Sequence, residues 1–267
     1  MSDGALYCGV DIGASATKLV LINEAGEVRA RSVALSGVDY AGTARLNLQR
    51  ALGEIGASDD QIRRTVATGY GRRNVPFAQD MSTEIQCHGM GCYHLVPRAI
   101  TVVDIGGQDN KVIRLDGSGH RVDFKMNRKC AAGTGSFIEE IALRLALEPG
   151  QMEPLAASTD RAVKLSSFCT VFAKTEILSH LREGVPVAEI VRGSFLSVIH
   201  RVVEMDTLDG EVVLTGGVIA HNPTIGTLLA ERLGRPITVP PHPQYTGALG
   251  AALMARRQAT VADTRST

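Results

Sequence analysis

The chain of 267 residues is long enough to bury a full hydrophobic core, and this length favours an organisation in two lobes. Lysine plus arginine equals aspartate plus glutamate, at 28 each, so the net charge provides no attraction to nucleic acid or to an anionic membrane. The sequence starts without a basic and then apolar stretch, and it has no run of about 18 apolar residues, so we expect neither a signal peptide nor a membrane span. Five cysteines in such a chain argue against a disulfide framework, and we expect a cytoplasmic protein.

Two stretches of the sequence resemble each other. CGVDIGASATKLVLI (8–22) and TVVDIGGQDNKVIRL (101–115) each contain an apolar strand that ends in Asp, a turn of small residues and a second strand. Each is followed by a further alternating stretch, EVRARSVAL (27–35) or HRVDFKM (120–126). The repetition predicts a three-stranded meander that occurs twice, and therefore two homologous lobes in one chain.

Periodicity and capping signals predict the remaining elements. Helices are expected over 39–56, from Thr83 with a capping box to Gln86, over about 135–147, 170–183 and 187–205, after Asn222-Pro223, and over 245–257. Strands are expected in TVATGY (65–70), EVVLTGG (211–217) and PITVP (236–240), and the polar tail 258–267 is expected to fray. The predicted lobes are 1–98, to which a closing helix 246–257 returns, and 99–245. No linker rich in Pro or Ser separates them, so we expect a cleft between packed lobes.

The duplicated Asp-Gly turns suit a polyphosphate. Small residues after each strand let backbone N–H groups approach phosphate closely; they are Gly13, Ser15, Gly106 and Gly107. Asp11 and Asp104, at the carboxyl ends of their strands, are of the kind that holds hydrated Mg²⁺, and Lys18 is a candidate phosphate contact. The chain has no GxxxxGK[ST], so these turns are not a P-loop.

Two further glycine turns precede helical sequence. LTGGVIAHN (214–222) suits a flat adenosine, with Gly216, Gly217 and Asn222 as candidate contacts. KCAAGTGSF (129–137) would cradle phosphate through Gly133 and Gly135. The Asp-Gly turns and the adenosine turn together resemble those of the superfamily of acetate kinase, sugar kinases, heat-shock ATPases and actin. That resemblance implies an α/β fold of two duplicated ribonuclease H-like lobes and ATP in the cleft between them.

The five cysteines divide by setting. Cys8 lies on the first strand and is expected in the core, while Cys87 and Cys92 flank His88 in CHGMGC, where core packing competes with metal binding. Cys130 and Cys169 each precede helical sequence, where a thiolate is favoured, and the residues alone leave a buried and a reactive thiol equally open.

Two thiolates cannot complete a site that requires four, but a two-fold dimer brings a second pair to the axis. NRKCAAGTGSF and FCTVFAKTE, with ATGYGR (67–72) and DIGGQDNKVI (104–113), resemble the ATP-dependent activators of 2-hydroxyacyl-CoA dehydratases and the ATPase subunits of benzoyl-CoA reductase. This resemblance extends over about 7–255. It implies one [4Fe–4S] cluster bridging two subunits, with Cys130 and Cys169 as this chain's ligands.

The resemblance also implies an activity. Reduced ferredoxin would load the cluster, and ATP hydrolysis would drive the electron to an iron–sulfur acyl-CoA enzyme of low potential. Asp104 would position Mg²⁺, and Gln108 would orient the attacking water by analogy with GTPase glutamines. Lys174 and the stretch SFCTVFAKTEIL favour benzoyl-CoA reductase as the partner, with a dehydratase activator as the alternative. The dimer partner is a copy of this chain or a related ATPase subunit. A small-molecule kinase shares the ATP motifs but leaves Cys130 and Cys169 unexplained.

Overall fold

The computed structural model describes residues 4–165 and 169–265. Its strands form a five-stranded and a four-stranded sheet. Residue contacts group the described residues of 1–100, 114–122 and 244–267 into one compact unit and those of 101–113 and 123–243 into a second. None of the helices in the described part of the chain is long and apolar enough to cross a membrane.

The strands and helices follow in chain order. The strands are β1 (Leu6–Ile12), β2 (Ala16–Ile22), β3 (Val28–Leu35), β4 (Ile62–Thr68), β5 (Asp80–Met81), β6 (Ile100–Ile105), β7 (Asn110–Leu115), β8 (Arg121–Asn127) and β9 (Val212–Thr215). The helices are α1 (Tyr40–Ile55), α2 (Glu84–Leu95), α3 (Gly135–Arg144), α4 (Met152–Ala157), α5 (Thr170–Arg182), α6 (Val187–Met205), α7 (Gly217–His221), α8 (Thr224–Leu233) and α9 (Thr246–Arg265).

The first sheet has the order β3-β2-β1-β4-β5, with β1 antiparallel to β2 and parallel to β4. Because successive side chains of a strand point to opposite faces, β1 serves two layers. Cys8, Val10 and Ile12 join the core cluster that includes α1, whereas Tyr7 joins the cluster formed with α9. Asp11 has the same parity as Tyr7 and therefore lies on the α9 face.

Glycines allow α2, α9 and β1 to approach one another at backbone distance. A Cβ added to Gly9 would lie 2.0 Å from the carbonyl oxygen of Ala248, and one added to Gly91 would lie 2.1 Å from that of Thr246. At Gly250 the added atom would lie only 1.7 Å from the carbonyl oxygen of Cys87. Real side chains do not reach such distances, so the small residues of α9 set how closely it packs on the first sheet.

The second sheet has the order β8-β7-β6-β9, and β6 runs parallel to β9. Its core cluster joins strand residues such as Val103 and Ile105 to helix residues such as Phe137 of α3 and Phe195 of α6, all nearly inaccessible to solvent. The end of β6, where Asp104 lies, is thereby anchored on a packed helical layer.

The predicted meanders are confirmed in both sheets, and Thr83 caps α2 by accepting from the backbone N–H of Gln86 at 3.3 Å. Two expectations were wrong. PITVP forms no strand: only Thr238 makes an isolated parallel bridge, to Val213, because the flanking prolines have no N–H for a ladder. The tail expected to fray from residue 258 instead continues α9 to Arg265.

Candidate functional site

Asp11 is the next-to-last residue of the fully buried strand β1 and has a lysine opposite it. The residue is 4% exposed, and the strand register pairs it with Lys18 on β2. The Lys18 Nζ lies 3.6 Å from Asp11 Oδ2, so its charge faces the carboxylate across the hairpin. Lys18 was predicted to contact phosphate; the structure places its ammonium group beside Asp11.

Asp104 on β6 repeats this arrangement with a closer contact. It is 3% exposed, and its Oδ2 receives a hydrogen bond of 3.1 Å from Lys111 Nζ on β7. The same ammonium group donates to Asp109 Oδ1 at 2.9 Å. One buried cation thus balances two carboxylates, which is the condition under which buried charge is tolerated. The sequence repeat pairs Lys111 with Lys18, but the sequence-based site had included only Lys18.

A threonine–glycine pair on the parallel neighbour completes each carboxylate site. Thr68 on β4 is in register with Asp11, and Thr215 on β9 with Asp104. The following glycines have φ of +90° and +108°. A Cβ on Gly69 would lie 2.6 Å from Asp11 Oδ1, and one on Gly216 would lie 2.8 Å from Asp104 Oδ1. Only glycine fits both the backbone conformation and the space.

The duplication therefore extends to a fourth strand in each sheet. The signal is present in the sequence as ATG at the end of β4 and LTG at the end of β9. Gly69 is the functional residue that sequence reasoning missed here. Gly216, predicted as an adenosine contact, lies against the Asp104 carboxylate.

The two turns close in the same way. Gly13 N–H donates to Ala16 O at 3.1 Å, and Gly106 N–H donates to Asp109 O at 2.9 Å. Gln108 is exposed within the second turn. Ser15 belongs to the first turn, and its carbonyl accepts from the N–H of Ser36 at 3.0 Å. Each turn therefore lies beside its own buried aspartate as a compact loop.

The glycine turn before α3 is joined to the second of these loops. Gly135 N–H donates to Gly106 O at 2.9 Å, and Ser136 donates from its N–H and its hydroxyl to Gly107 O, each at 2.8 Å. A Cβ on Gly135 would lie 3.1 Å from the Cα of Gly107, which explains the glycine at this position. The first amides of α3, in the turn predicted to cradle phosphate, donate to loop carbonyls in this structure.

Asn110 makes a second link between the same segments. It is 1% exposed, and its Nδ2 donates to Gly133 O at 2.7 Å. Gly133 has a φ of +79°, and an added Cβ would collide with the side chain of Arg201 at 2.7 Å. Asn110 was not predicted as a site residue, because its local sequence does not indicate a hydrogen bond to Gly133, which lies 23 residues later in the chain.

The predicted adenosine turn begins α7. Gly217 is the first residue of that helix, and Asn222 follows its last turn. The Asn222 side chain is 7% exposed and donates from Nδ2 to Val218 O at 2.9 Å. Its amide therefore stabilises the end of α7 in this conformation.

Cys130 and Cys169 are both exposed. Cys169 is the N-cap residue of α5, whereas Thr134 takes that position for α3, so Cys130 lies outside the first turn of its helix. The two helices are joined by an ion pair of 2.8 Å between Lys174 Nζ and Glu140 Oε1, which holds the pKa of Glu140 below its usual value.

The described residues do not bring possible metal ligands of one chain together. They contain no group of three or more His, Cys, Asp or Glu side chains placed to hold a metal ion. Two exposed thiols fit a four-thiolate cluster only if another chain supplies the second pair.

The other three cysteines are core residues. Cys8, Cys87 and Cys92 are buried. Burial raises the pKa of the Cys8 thiol to about 12 and that of the Cys87 thiol to about 11. The raised pKa of Cys87 and the burial of Cys92 favour core packing over metal binding in CHGMGC.

Several known proteins with similar sequences are activators of dehydratases. The chain is 42% identical over 250 residues to the activator of lactoyl-CoA dehydratase of Anaerotignum propionicum, covering 92% of this chain and 96% of that protein. It is 39% identical over 250 residues to the 2-hydroxyisocaproyl-CoA dehydratase activator of Clostridioides difficile, covering 92% and 93%. The identity to one of the subunits of benzoyl-CoA reductase from Thauera aromatica is lower, at 28% over 260 residues, with coverage of 93% and 92%.

Solved structures give the fold. The activator of the 2-hydroxyisocaproyl-CoA dehydratase from Clostridium difficile with bound ADPNP superimposes with a TM-score of 0.91 at 36% identity, covering 97% of both chains. A ROK family glucokinase from Streptomyces griseus superimposes with a TM-score of 0.56 at 13% identity, covering 95% and 100%, and so shares the fold alone. The predicted α/β fold of the actin-like ATPase and sugar kinase superfamily is confirmed.

Family membership is decided by the extent of the match. The sequence profile of the BadF/BadG/BcrA/BcrD ATPase family matches residues 8–255, which include both aspartate turns, the Thr-Gly pairs and both exposed cysteines. The chain therefore belongs to the BadF/BadG/BcrA/BcrD ATPase family.

Proposed function

We propose that this protein is the ATP-hydrolysing activator of a 2-hydroxyacyl-CoA dehydratase. The observation that carries the proposal is the high identity to dehydratase activators over more than nine tenths of the chain. The sequence alone had favoured benzoyl-CoA reductase, but the similarity to a subunit of that enzyme is clearly lower. The comparisons therefore support the alternative better than the first choice.

The sequence features that favoured the reductase carry little weight. Lys174 is one of them, but its ammonium group has a local structural partner in Glu140. The stretch SFCTVFAKTEIL begins with Ser167 and Phe168, which lie outside the described residues.

In the proposed reaction, ATP and water give ADP and phosphate at the aspartate turns. Asp104, held by Lys111, would keep hydrated Mg²⁺ in position, and Asp11 would do the same from the first sheet. Gln108 is exposed in its turn, as a residue that orients the attacking water must be. The backbone amides of Ser15 and Gly107 would bind phosphate oxygens, while Gly13 and Gly106, whose own N–H groups close the turns, would let phosphate approach the backbone closely. Gly217 and Asn222 remain the proposed adenosine contacts.

The redox part of the proposal rests on the two exposed thiols. Cys130 and Cys169 would bind a [4Fe–4S] cluster together with the same pair from a second chain. When bound, the cluster would supply one electron at a time, received from reduced ferredoxin and passed to the dehydratase. The hydrogen bonds from Gly135 and Ser136 to the second turn give the protein a route from the nucleotide to the cysteine loop.

The proposal is tested on protein purified without oxygen. We expect a brown protein with about four iron atoms per pair of chains that hydrolyses ATP and activates a 2-hydroxyacyl-CoA dehydratase. Cys130→Ser and Cys169→Ser should each lose the iron and the activation, since serine is a poor iron ligand, while Cys8→Ser serves as the matched control and keeps both. A colourless protein that phosphorylates a small molecule would instead support a kinase. Activation of benzoyl-CoA reductase in place of the dehydratase would return the assignment to the first choice.

A further inference from the structure

His88 is a buried polar residue that the proposed reaction does not use. It lies on α2, is 6% exposed, and its Nδ1 is 3.2 Å from the hydroxyl oxygen of Thr246, the first residue of α9. Thr246 is itself 1% exposed, so the contact fixes the ring between two packed helices. A histidine in the core usually has such a partner on one nitrogen, and the question is what the other nitrogen faces.

The other nitrogen lies in the neighbourhood of Asp11. A Cβ added to Gly247 would lie 2.9 Å from His88 Nε2 and 3.1 Å from Asp11 Oδ2. Both atoms are therefore close to the same point and at most 6.0 Å apart, and Gly247 places no side chain at that point. All three residues belong to the same compact unit.

The Asp11 carboxylate is held less closely by its lysine than the Asp104 carboxylate is. Its contact with Lys18 is 3.6 Å long, beyond hydrogen-bond length, whereas the equivalent contact of Asp104 with Lys111 is 3.1 Å. Lys18 approaches Oδ2, and Gly69 borders Oδ1. His88 is the residue placed to direct the carboxylate from the α2 side.

We propose that His88 is a positioning residue for Asp11, with its Nε2–H directed at the Asp11 carboxylate and its Nδ1 accepting from the Thr246 hydroxyl. An ionised carboxylate only accepts, so the donor must be Nε2, and neutral imidazole then leaves Nδ1 as the acceptor. The inference deepens the proposed function and rests on it, because Asp11 must serve Mg²⁺ and nucleotide. Partners of this kind typically change metal affinity or activity by about 10- to 100-fold when they are removed.

Amide side chains separate the two ends of the ring. In His88→Gln the amide nitrogen reaches the position of Nε2, whereas in His88→Asn it reaches only that of Nδ1. We expect His88→Gln to stay near wild type and His88→Asn to lose about 10- to 100-fold in kcat or in the apparent affinity for Mg²⁺, with little change in KM for ATP at saturating Mg²⁺. A purely structural histidine would give equal kinetics in the folded fraction of both variants. An Asn variant as active as the Gln variant would therefore overturn the proposal.

Two further measurements test the proposal even if the His88 variants fail to fold. Thr246→Val keeps the shape of the side chain but removes the hydroxyl, so the ring loses its orientation and the same Mg²⁺ dependence should result; a silent Thr246→Val would contradict the proposal. In metal-free wild-type protein, ¹⁵N shifts of the imidazole, assigned with His88→Gln, should report the Nε2–H tautomer. The Nδ1–H tautomer would refute the assignment without any activity assay.

Failure of this inference is distinguishable from failure of the proposed function. If Asp11→Asn hydrolyses ATP at the wild-type rate, the carboxylate is not part of the nucleotide site and the proposed function is wrong at this residue. If Asp11→Asn is inactive and His88→Asn is silent, only the role of His88 is wrong. The double variant should be no worse than Asp11→Asn alone, because His88 acts through Asp11.

Discussion

The contact between α2 and α9 makes one substitution unusually informative. In Gly250→Ala the new methyl group would lie 1.7 Å from the carbonyl oxygen of Cys87, so one helix must move by roughly 1.5 Å to reach van der Waals contact. Overpacking costs about 1 to 3 kcal/mol and occasionally more, and a rigid backbone carbonyl places this site at the upper end. Alanine returns up to about 1 kcal/mol of helix propensity. We expect a net loss of about 2 to 3 kcal/mol in the free energy of unfolding.

Gly53→Ala is the matched control, because Gly53 is also helical and a Cβ there meets nothing within 4 Å. That variant should gain about 0.5 to 1 kcal/mol. Urea unfolding followed by circular dichroism, with a constant m-value, measures both changes. Because α2 carries His88 and α9 carries Thr246, Gly250→Ala should also lower ATP hydrolysis in its folded fraction. If Gly250→Ala were as stable as Gly53→Ala, the helices would not approach as described, and the placement of His88 beside Asp11 would fall with it.

Charge and burial lead to three further expected outcomes. Lys111→Met removes the cation shared by Asp104 and Asp109 and should lower the free energy of unfolding by about 3 to 5 kcal/mol, measured by thermal or urea unfolding. Lys18→Met should cost clearly less, because Lys18 lies farther from its carboxylate. Equal costs would contradict the difference between the two sites. In iron-free protein at pH 8, mass spectrometry should find iodoacetamide on the exposed cysteines only, and labelling of the buried ones before unfolding would contradict the burial. The exposed ones are Cys130 and Cys169, and the buried ones are Cys8, Cys87 and Cys92. The free energy of unfolding should also fall as the pH rises from about 9 towards 12. In this range the unfolded chain releases the thiol protons of Cys8 and Cys87, whereas the folded state, in which their pKa is raised, still keeps them. A free energy of unfolding that stays constant over this range would refute the raised pKa values.

The duplicated meander could be predicted because its signals are local. Each copy places Asp and Gly in register after an apolar strand, and alternation marks the strands that follow. The helix caps were equally legible, as Thr83 shows. What failed were segments whose structure depends on partners distant in the sequence. Thr238 is in the predicted strand PITVP but makes only a single bridge. Ala259 in the tail is buried in the cluster formed by the first sheet and α9, although the sequence around it is mostly polar and gave no sign of this packing.

The candidate site divides in the same way. The carboxylates Asp11 and Asp104 were recognisable as chemical groups at strand ends, and the structure shows in addition that both are buried. The residues that hold them in place were not, because their role arises from spatial neighbours. Gly247 and Asn110 have ordinary local sequences, and only the distances to an Asp oxygen or a Gly carbonyl connect them with the site, whereas Gly69 could be found only by aligning the two Thr-Gly pairs.

In the glycine turn before α3, the residue types could be predicted from the sequence, but the loop carbonyls that they contact could not. The N–H groups of Gly135 and Ser136 donate to the carbonyl oxygens of Gly106 and Gly107, and phosphate binding by this turn stays a prediction. The consequence is mechanical. With Gly135 and Ser136 bonded to the turn after Asp104, and Asn110 holding Gly133, any displacement of that turn would either carry the segment from Cys130 to Gly135 with it or break several hydrogen bonds. Since each lost bond costs about 1 kcal/mol and each orphaned buried group more, moving the two segments together is the less costly response.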